Sequence, residues 1–370
     1  MLYDIDLSAW LGDLRDPQDL LLSMVSGDRH RCTVFALGVM PYITASLAVW
    51  IVLSVGGSGL RNRFSPQRTE RFTLALALPL AAFSAVLRAW ELPFRETFFD
   101  AGVLRIIAAA EMTAGAAVIC LLAGVNRERG IGGHAPVLLV NIADNLLSTL
   151  HRFPWEQLRR LAALCVVMAA VVLVMENVIV RLPVQRVSIH SDYAEKSRIA
   201  LKLAPIGVMP VMFAASFSAL PRLLVRLLLF LGGENPALRR IYEALSLTRG
   251  PGAAVYVATV FLLNIAFSFA AVSPGEIADQ LQRAGDSIVN VYAGVKTRRY
   301  LRGILLRLCL VSGSVLCLMM GCSLALALTG EIPAELALFP ATAMILTGIL
   351  YPLYREVRAY REFDSYSFFI

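Results

Sequence analysis

The sequence predicts an all-α, polytopic membrane protein, a bundle of about nine transmembrane helices. Two observations lead to this fold class. Of the 370 residues, 58% are hydrophobic, and the mean hydropathy is +0.67, which is too apolar for a soluble domain of this length. The apolar residues also occur in long blocks, and a transmembrane helix needs about 20 of them in succession.

Nine apolar blocks are candidate spans. The fourth is interrupted by Asn141, Asp144 and Asn145, and the sixth is too long for one crossing. We therefore expect the sixth helix to end near Pro221, with residues 223–231 lying outside the membrane as an amphipathic piece. The blocks cover residues 36–55, 72–90, 102–124, 134–152, 159–180, 203–231, 252–273, 303–328 and 336–354.

The first block combines a proline with small residues. Pro41 is followed by Thr44, Ala45 and Ser46, and small residues let neighbouring helices approach closely in a membrane. Val39 and Ile43 are four residues apart, so they share one helix face. These features alone are equally compatible with a kinked packing helix and with a functional helix.

Basic residues suggest the orientation of the chain. The net charge of +7 is carried almost entirely by arginine, and in a membrane protein it indicates topology and anionic lipid rather than nucleic acid. The distribution predicts an external N-terminus and a cytoplasmic C-terminus. It also assigns two long basic loops, 181–202 and 274–302, to the cytoplasm, where they are either solvated loops or a docking surface.

Polar residues inside the blocks are the remaining candidates for chemistry. Asp144 and its two asparagine neighbours are candidates to line a water-filled funnel, and Glu111 either pairs with Arg105 or contacts other polar groups. Glu176 and Arg307 lie near block ends, where we expect their charged groups to reach the membrane surface.

The sequence contains no signature of an enzyme or a bound cofactor. No HExxH, GxSxG or P-loop motif occurs, and the four histidines are dispersed. The six cysteines show no metal-ligand or disulfide spacing. We therefore predict a protein that is not an enzyme and has no cofactor or metal site.

Four motifs, in order along the chain, resemble SecY, the protein-conducting channel of the bacterial plasma membrane. Residues 38–46 (Gly-Val-Met-Pro-Tyr-Ile-Thr-Ala-Ser) are similar to the motif of its second helix. Residues 128–132 resemble its glycine-rich turn between helices four and five. Residues 205–214 resemble its seventh helix, and 274–300 its loop between helices eight and nine. Details in 186–190, 209–212 and 285–291 are most similar to the accessory Sec branch.

The resemblance implies a pseudo-symmetric channel with two halves. Residues 1–35 would be an external N-terminal segment with a plug-like region. Residues 36–152 would form the N-terminal half, equivalent to helices two to five, and residues 153–370 the C-terminal half, equivalent to helices six to ten. The sequence begins after the position of the family's first helix, so either the start codon is misassigned or the protein lacks that helix, and the first half as given would contain four helices.

The resemblance also implies the function, a channel that passes unfolded secretory polypeptides, driven by a SecA-type ATPase and accompanied by a SecE-like subunit. Clients of the accessory branch are often serine-rich glycoproteins. Tyr292 stands where the family usually has an arginine important for the ATPase.

The resemblance implies three sets of functional residues. The pore ring would be Val39, Ile43, Ala135, Leu139, Met212 and Leu346. The plug would contain Met24, Val25, Ser26 and Gly27. The loops that dock the ATPase would contribute Arg186, His190, Tyr292, Gly294, Lys296, Arg298 and Arg299.

Two other functions remain open at this point. A degenerate, non-conducting scaffold is compatible with Tyr292 and with the four-helix first half. A small-solute secondary transporter would need a polar site near the membrane midplane, and residues 141–145 are the only stretch that offers one.

Overall fold

The computed structural model describes residues 34–55, 65–90, 92, 100–133, 135–185, 198–232, 236–244, 250–329 and 333–366. The helices are α1 (Met40–Val55), α2 (Pro66–Ala89), α3 (Ala101–Arg129), α4 (Ala135–Arg152), α5 (Trp155–Asn177), α6 (Met209–Gly232), α7 (Pro236–Ala244), α8 (Gly250–Val272), α9 (Pro274–Ala284), α10 (Val295–Thr329), α11 (Ala334–Ala337) and α12 (Phe339–Tyr366). The strands are β1 (Ile179–Gln185), β2 (Arg198–Lys202) and β3 (Ser287–Ile288).

Each predicted apolar block overlaps a long helix, so the prediction of a helical membrane bundle is confirmed, while the count of nine spans stays a prediction. By length and hydropathy, four helical stretches of the described chain are able to cross a membrane. They are Arg68–Ala89, Gly102–Asn126, Gly250–Ala284 and Val295–Thr329. Two shorter apolar helices, Ala135–Asp144 and Leu161–Asn177, lie in α4 and α5.

The two prolines singled out in the sequence, Pro41 and Pro221, occupy different positions in their helices. The prediction that the sixth helix ends near Pro221 is wrong, because α6 continues through this residue to Gly232. The side chain of Val225, one turn later, is buried, so packing supports the helix beyond the missing N–H group. Pro41 lies in the first turn of α1, where an N–H group has no partner within the helix, so it removes no hydrogen bond.

The N-terminal half is held together by a seam of alanines. α2 packs against both α1 and α3, and Ala81, Ala85 and Ala89 follow one another at four-residue spacing on the buried face of α2. Ala108, Met112 and Ala116 repeat the spacing on α3. Helices in lipid gain no hydrophobic free energy by associating, so their association depends on van der Waals contact. The small alanines allow this contact because they let the two backbones approach closely.

The C-terminal half is organised by α8, which packs on α6 and on α10. A buried amide fixes the second contact, since Asn264 Nδ2 donates to the carbonyl of Cys309 at 3.0 Å and to Ser312 Oγ at 3.1 Å. α12 packs against α4 and α5, and α1 packs against α6. The α1–α6 and α4–α12 contacts therefore join the two halves.

The two basic loops contain a small three-stranded sheet that the sequence analysis did not predict. β1 lies in the middle and pairs antiparallel with β2 and with β3. Leu182, Leu201 and Ile288 of the sheet form one apolar core with Ala278 of α9 and Leu301 of α10. We call the sheet, α9, the connection 285–294 and the first two turns of α10 the platform.

We expect Asn264→Leu to lower the free energy of unfolding by about 1 kcal/mol, because it removes two hydrogen bonds between α8 and α10. Thermal unfolding in detergent measures the change. The matched control is Thr259→Val on the same helix, since this exposed hydroxyl bonds only to the carbonyl of Val255. Equal losses from the two substitutions would contradict the assignment.

Candidate functional site

The tetrapeptide Gly-Val-Met-Pro occurs twice, at 38–41 and at 207–210, and both copies have the same local structure. The glycines have φ angles of +51° and +62°, which favour glycine. The methionines begin α1 and α6. The valines between them, Val39 and Val208, are buried. Each half of the chain therefore sends one helix into the bundle through the same sharp turn.

The six predicted ring residues lie in one contiguous apolar cluster. Val39, Ile43 and Met212 are buried in it. Ala135, Leu139 and Leu346 are partly buried against it. Ile43 and Met212 occupy equivalent positions, five residues after the glycine of each copy. Their side chains, aliphatic or thioether, offer no strong polar site to an ion or to one particular side chain.

Residues that the sequence analysis missed hold this cluster in place. Tyr256 of α8 is fully buried and donates its hydroxyl hydrogen to the carbonyl of Val211 at 3.2 Å. The rings of Phe213 and Phe267 meet edge to face, with centroids 4.9 Å apart. Val208 packs against Gly348 of α12, where a Cβ atom would lie 2.4 Å from Val208 Cγ2. The repeated tetrapeptide could have predicted the role of Val208, because Val208 occupies the same position in its copy as the predicted ring residue Val39 does in the other.

Four of the predicted docking residues lie close together on the platform. Tyr292 is 77% exposed, and Lys296 Nζ lies 4.7 Å from the centroid of its ring. Gly294 has a φ angle of +95°, and its carbonyl accepts the N–H group of Arg298. The turn is fixed from below, since the buried Thr297 donates its hydroxyl hydrogen to the carbonyl of Tyr292 at 2.8 Å.

The remaining predicted docking and plug residues are divided between described and undescribed segments. Arg299 is exposed one turn into α10. Arg186 and His190 fall between β1 and β2, outside the described residues. The predicted plug residues Met24, Val25, Ser26 and Gly27 also lie outside the described residues.

Glu176 is the main correction to the sequence analysis. Its charged group is not exposed as expected, because its side chain is only 5% exposed and pairs with Lys202 Nζ of β2 at 3.7 Å. Its Oε1 occupies the space where a side chain would begin at Gly207, 2.1 Å from an ideal Cβ atom there. One carboxylate thus connects the end of α5, the platform sheet and the turn that begins α6.

The other intramembrane polar residues differ in their exposure. Asp144 is exposed and Asn141 is half-buried. The pairing of Glu111 with Arg105 is wrong, since no ion pair joins them in the part of the chain that the structure describes. Residues six apart do not share a helix face. The Arg105 guanidinium instead lies over the ring of Trp90, with Cζ 5.1 Å from its centroid.

A helical membrane bundle whose two halves share one apolar cluster, together with a small basic platform, defines the class of this protein. The family model described as SecY matches residues 33–354. The chain belongs to the SecY family, and the resemblance stated from the motifs is confirmed.

Relatives and solved structures agree with this assignment. The accessory Sec system protein translocase subunit SecY2 of Streptococcus sanguinis (strain SK36) is 26% identical, covering 93% of this chain and 86% of that protein. Its counterpart in Streptococcus oralis (strain Uo5) is 25% identical, covering 98% and 91%. A structure described as a protein conducting channel matches in fold with a TM-score of 0.62 at 16% identity, covering 96% of this chain and 87% of that one. Sec61 in the canine ribosome-channel complex matches with a TM-score of 0.55 at 16% identity and the same coverage.

We expect Gly207→Ala to destabilise the protein much more than Gly133→Ala. Both glycines have positive φ angles, so each alanine costs about 1 kcal/mol of backbone strain. A Cβ atom at Gly133 meets nothing within 4 Å, whereas one at Gly207 displaces the Glu176 carboxylate. The displaced charge adds roughly 1–3 kcal/mol.

The thermal midpoint of each variant in detergent measures the difference. Similar midpoints for Gly207→Ala and Gly133→Ala would mean that the Glu176–Gly207 contact does not contribute to stability.

Proposed function

We propose that this chain is the channel-forming subunit of a bacterial Sec protein translocase of the accessory type, passing unfolded secretory polypeptides across the plasma membrane. The observation that carries the proposal is the apolar cluster where α1 and α6 meet. Membership of the SecY family and the names of the curated relatives support it.

The apolar cluster suits a polypeptide channel for a physical reason. Such a channel must admit a chain with side chains, on the scale of a helix about 10 Å wide, and must retain ions at rest. A closed apolar constriction excludes water and ions, yet holds no side chain strongly enough to stop transport. In our proposal Val39, Ile43, Ala135, Leu139, Met212 and Leu346 form this ring, and the small Ala135 leaves it locally wider.

The platform is proposed as the cytoplasmic docking surface for a SecA-type ATPase. This requires α10 to begin in the cytoplasm, so the chain would have its N-terminus outside and its C-terminus inside. The exposed ring of Tyr292, with the ammonium group of Lys296 against it, offers an aromatic and cationic contact. Arg186 and His190, on the segment between β1 and β2, are assigned to the same surface. The other proposed partners are a SecE-like subunit, a secretory polypeptide such as a serine-rich glycoprotein, and membrane lipid.

Glu176 supplies a physical route between the platform and the ring. Force on β2 would reach Lys202, whose ammonium group pairs with the Glu176 carboxylate. The carboxylate contacts Gly207, immediately before α6, and Met212 lies in the first turn of that helix. A movement of the platform sheet would therefore displace the start of the helix that carries Met212.

We expect a photoreactive residue at Met212, and separately at Leu346, to crosslink to a secretory chain stalled in transit. The experiment uses membranes containing the cognate ATPase and a client with a folded C-terminal domain. The control position is Leu262 of α8, whose side chain is 65% exposed on the outside of the bundle. Crosslinks at both ring positions and none at Leu262 are the expected result.

An absence of crosslinks at both ring positions, with the motor and client present, would contradict a conducting channel. It would favour a non-conducting scaffold instead. Crosslinks at Leu262 alone would mean that the chain passes outside the ring.

We expect Tyr292→Ala to weaken binding of the cognate ATPase several-fold, because it removes a highly exposed aromatic ring of the platform together with its contact to Lys296. Binding of the ATPase to the reconstituted protein measures the effect. Tyr360→Ala is the matched control, since Tyr360 is 56% exposed on α12. Equal weakening by the two substitutions would contradict docking at Tyr292.

A further inference from the structure

One carboxylate within the bundle takes part in neither the ring nor the platform. Glu111 is the eleventh residue of α3, about 15 Å from the start of the helix, inside the span Gly102–Asn126. Among the residues that the structure describes, its buried Oε2 atom has no hydrogen-bond partner. A polar or charged group at this depth is costly unless another group compensates it. The carboxylate therefore indicates a partner beyond the described residues.

Two arginines of this region make other contacts. The Arg105 guanidinium, on another face of α3, lies over the ring of Trp90. Arg88 belongs to α2, which packs against α3, and it donates to the carbonyl of Ala36. Neither arginine therefore compensates the Glu111 carboxylate.

The described chain begins against the same part of α3. Gly115 lies one turn after Glu111, on the same side of the helix. The carbonyl oxygen of Val34 occupies the space where a Cβ atom of residue 115 would lie. Ala36 and Leu37 continue this contact, since they share one buried cluster with residues of α3. The chain before α1 is therefore fixed to α3 within one turn of Glu111.

The residues that precede Val34 supply cations. Residues 28–32 read Asp-Arg-His-Arg-Cys, and they lie outside the described residues. Asp28 neutralises at most one cation of this run. Arg31 is three residues before Val34, and three residues of extended chain span up to about 10 Å. The helical turn between the Val34 contact and Glu111 rises by about 6 Å, so the Arg31 side chain is within reach of the carboxylate.

A tethered cation fits this position better than a cation of a separate membrane subunit. Arg31 is joined to the fixed contact at Val34 through only two residues, so its effective concentration at the carboxylate is high. A separate subunit has no such tether. A guanidinium group also stays charged at this depth and is able to donate two parallel hydrogen bonds to one carboxylate.

We propose that Glu111 binds the basic end of the N-terminal segment, with Arg31 as its partner in an ion pair inside the bundle. The predicted plug residues 24–27 end four residues before Arg31, so this ion pair tethers the plug to α3. The inference rests on the proposed function for the role of the plug, whereas the ion pair itself is measurable without transport.

The test measures how fast a polar maleimide modifies Cys32, next to Arg31, in the full-length protein in nanodiscs without ATPase or client. Peptide mass spectrometry separates Cys32 from the other cysteines, and each rate is divided by that of the same variant unfolded in sodium dodecyl sulfate. We expect slow modification of the unaltered protein. Glu111→Gln should raise the rate by about tenfold or more, because it leaves the Arg31 charge unpaired. Arg31→Gln should act alike, and the double variant should exceed neither single variant.

Two substitutions are matched controls. Thr113→Val changes α3 two residues from Glu111, where the hydroxyl group bonds to the carbonyl of Ala109 at 2.7 Å. Arg15→Gln removes a cation of the same N-terminal segment, sixteen residues before Arg31. Both controls should leave the modification rate of Cys32 unchanged.

Several outcomes would overturn the proposal. They are modification of the unaltered protein as fast as that of the unfolded chain, unchanged rates in Glu111→Gln and Arg31→Gln, equal increases in the controls, and additive effects in the double variant. Loss of a copurifying membrane protein from Glu111→Gln, with the Cys32 rate unchanged, would assign the carboxylate to a partner subunit.

If Glu111→Gln does not fold, Arg31→Gln and its control Arg15→Gln decide, because both changes lie in the N-terminal segment. Crosslinking from the ring uses other positions and requires transport. Failure of the channel function therefore remains distinguishable from failure of the ion pair.

Discussion

The membrane allows irregular backbone only where protein covers it, and much of this structure follows from that constraint. In hydrocarbon each backbone N–H and C=O group needs a partner within the protein, so the long elements are helices and the sheet belongs to the platform. Among the residues that the structure describes, the turns that precede α1 and α6 are irregular backbone inside the bundle. Both are shielded by packing, since Val39 and Val208 are buried in the central apolar cluster. These two turns therefore lie beside the candidate constriction.

The sequence predicted the parts of this fold that depend on local composition. Helices such as α2 and α3 are evident from hydropathy, because a continuous apolar stretch is stable in lipid whichever helices it packs against. The ring residues came only from the resemblance to SecY, since one apolar side chain in a span is indistinguishable from ordinary packing. The continuation of α6 through Pro221 was missed because the expectation that proline ends a helix considers only the neighbouring residues in sequence. The burial of Val225, which supports the helix beyond Pro221, depends on contacts with other helices.

The role of Glu176 was unpredictable for a related reason. A glutamate near the end of an apolar block usually extends its carboxylate to the membrane surface. Nothing in the neighbouring sequence indicates that Glu176 is buried. Its contacts come from Lys202 of β2 and from Gly207, which the fold brings close to it although they lie 26 and 31 residues later in the chain. The platform sheet was missed likewise, because its strands are short and are completed by β3, far away in the chain.

The repeated turn has a consequence for how the two halves are held, because its two copies have unlike neighbours. Arg88 donates from Nη1 to the carbonyl of Ala36 at 3.1 Å, beside the first copy, whereas the Glu176 carboxylate touches Gly207 in the second. In the proposed topology these residues lie towards opposite faces of the membrane. The Glu176 carboxylate is balanced by the Lys202 ammonium group 3.7 Å away, so a guanidinium group anchors the first turn and a buried ion pair anchors the second. Loss of one anchor would loosen the turn of one half and leave the other turn in place, so the starts of α1 and α6 can shift independently.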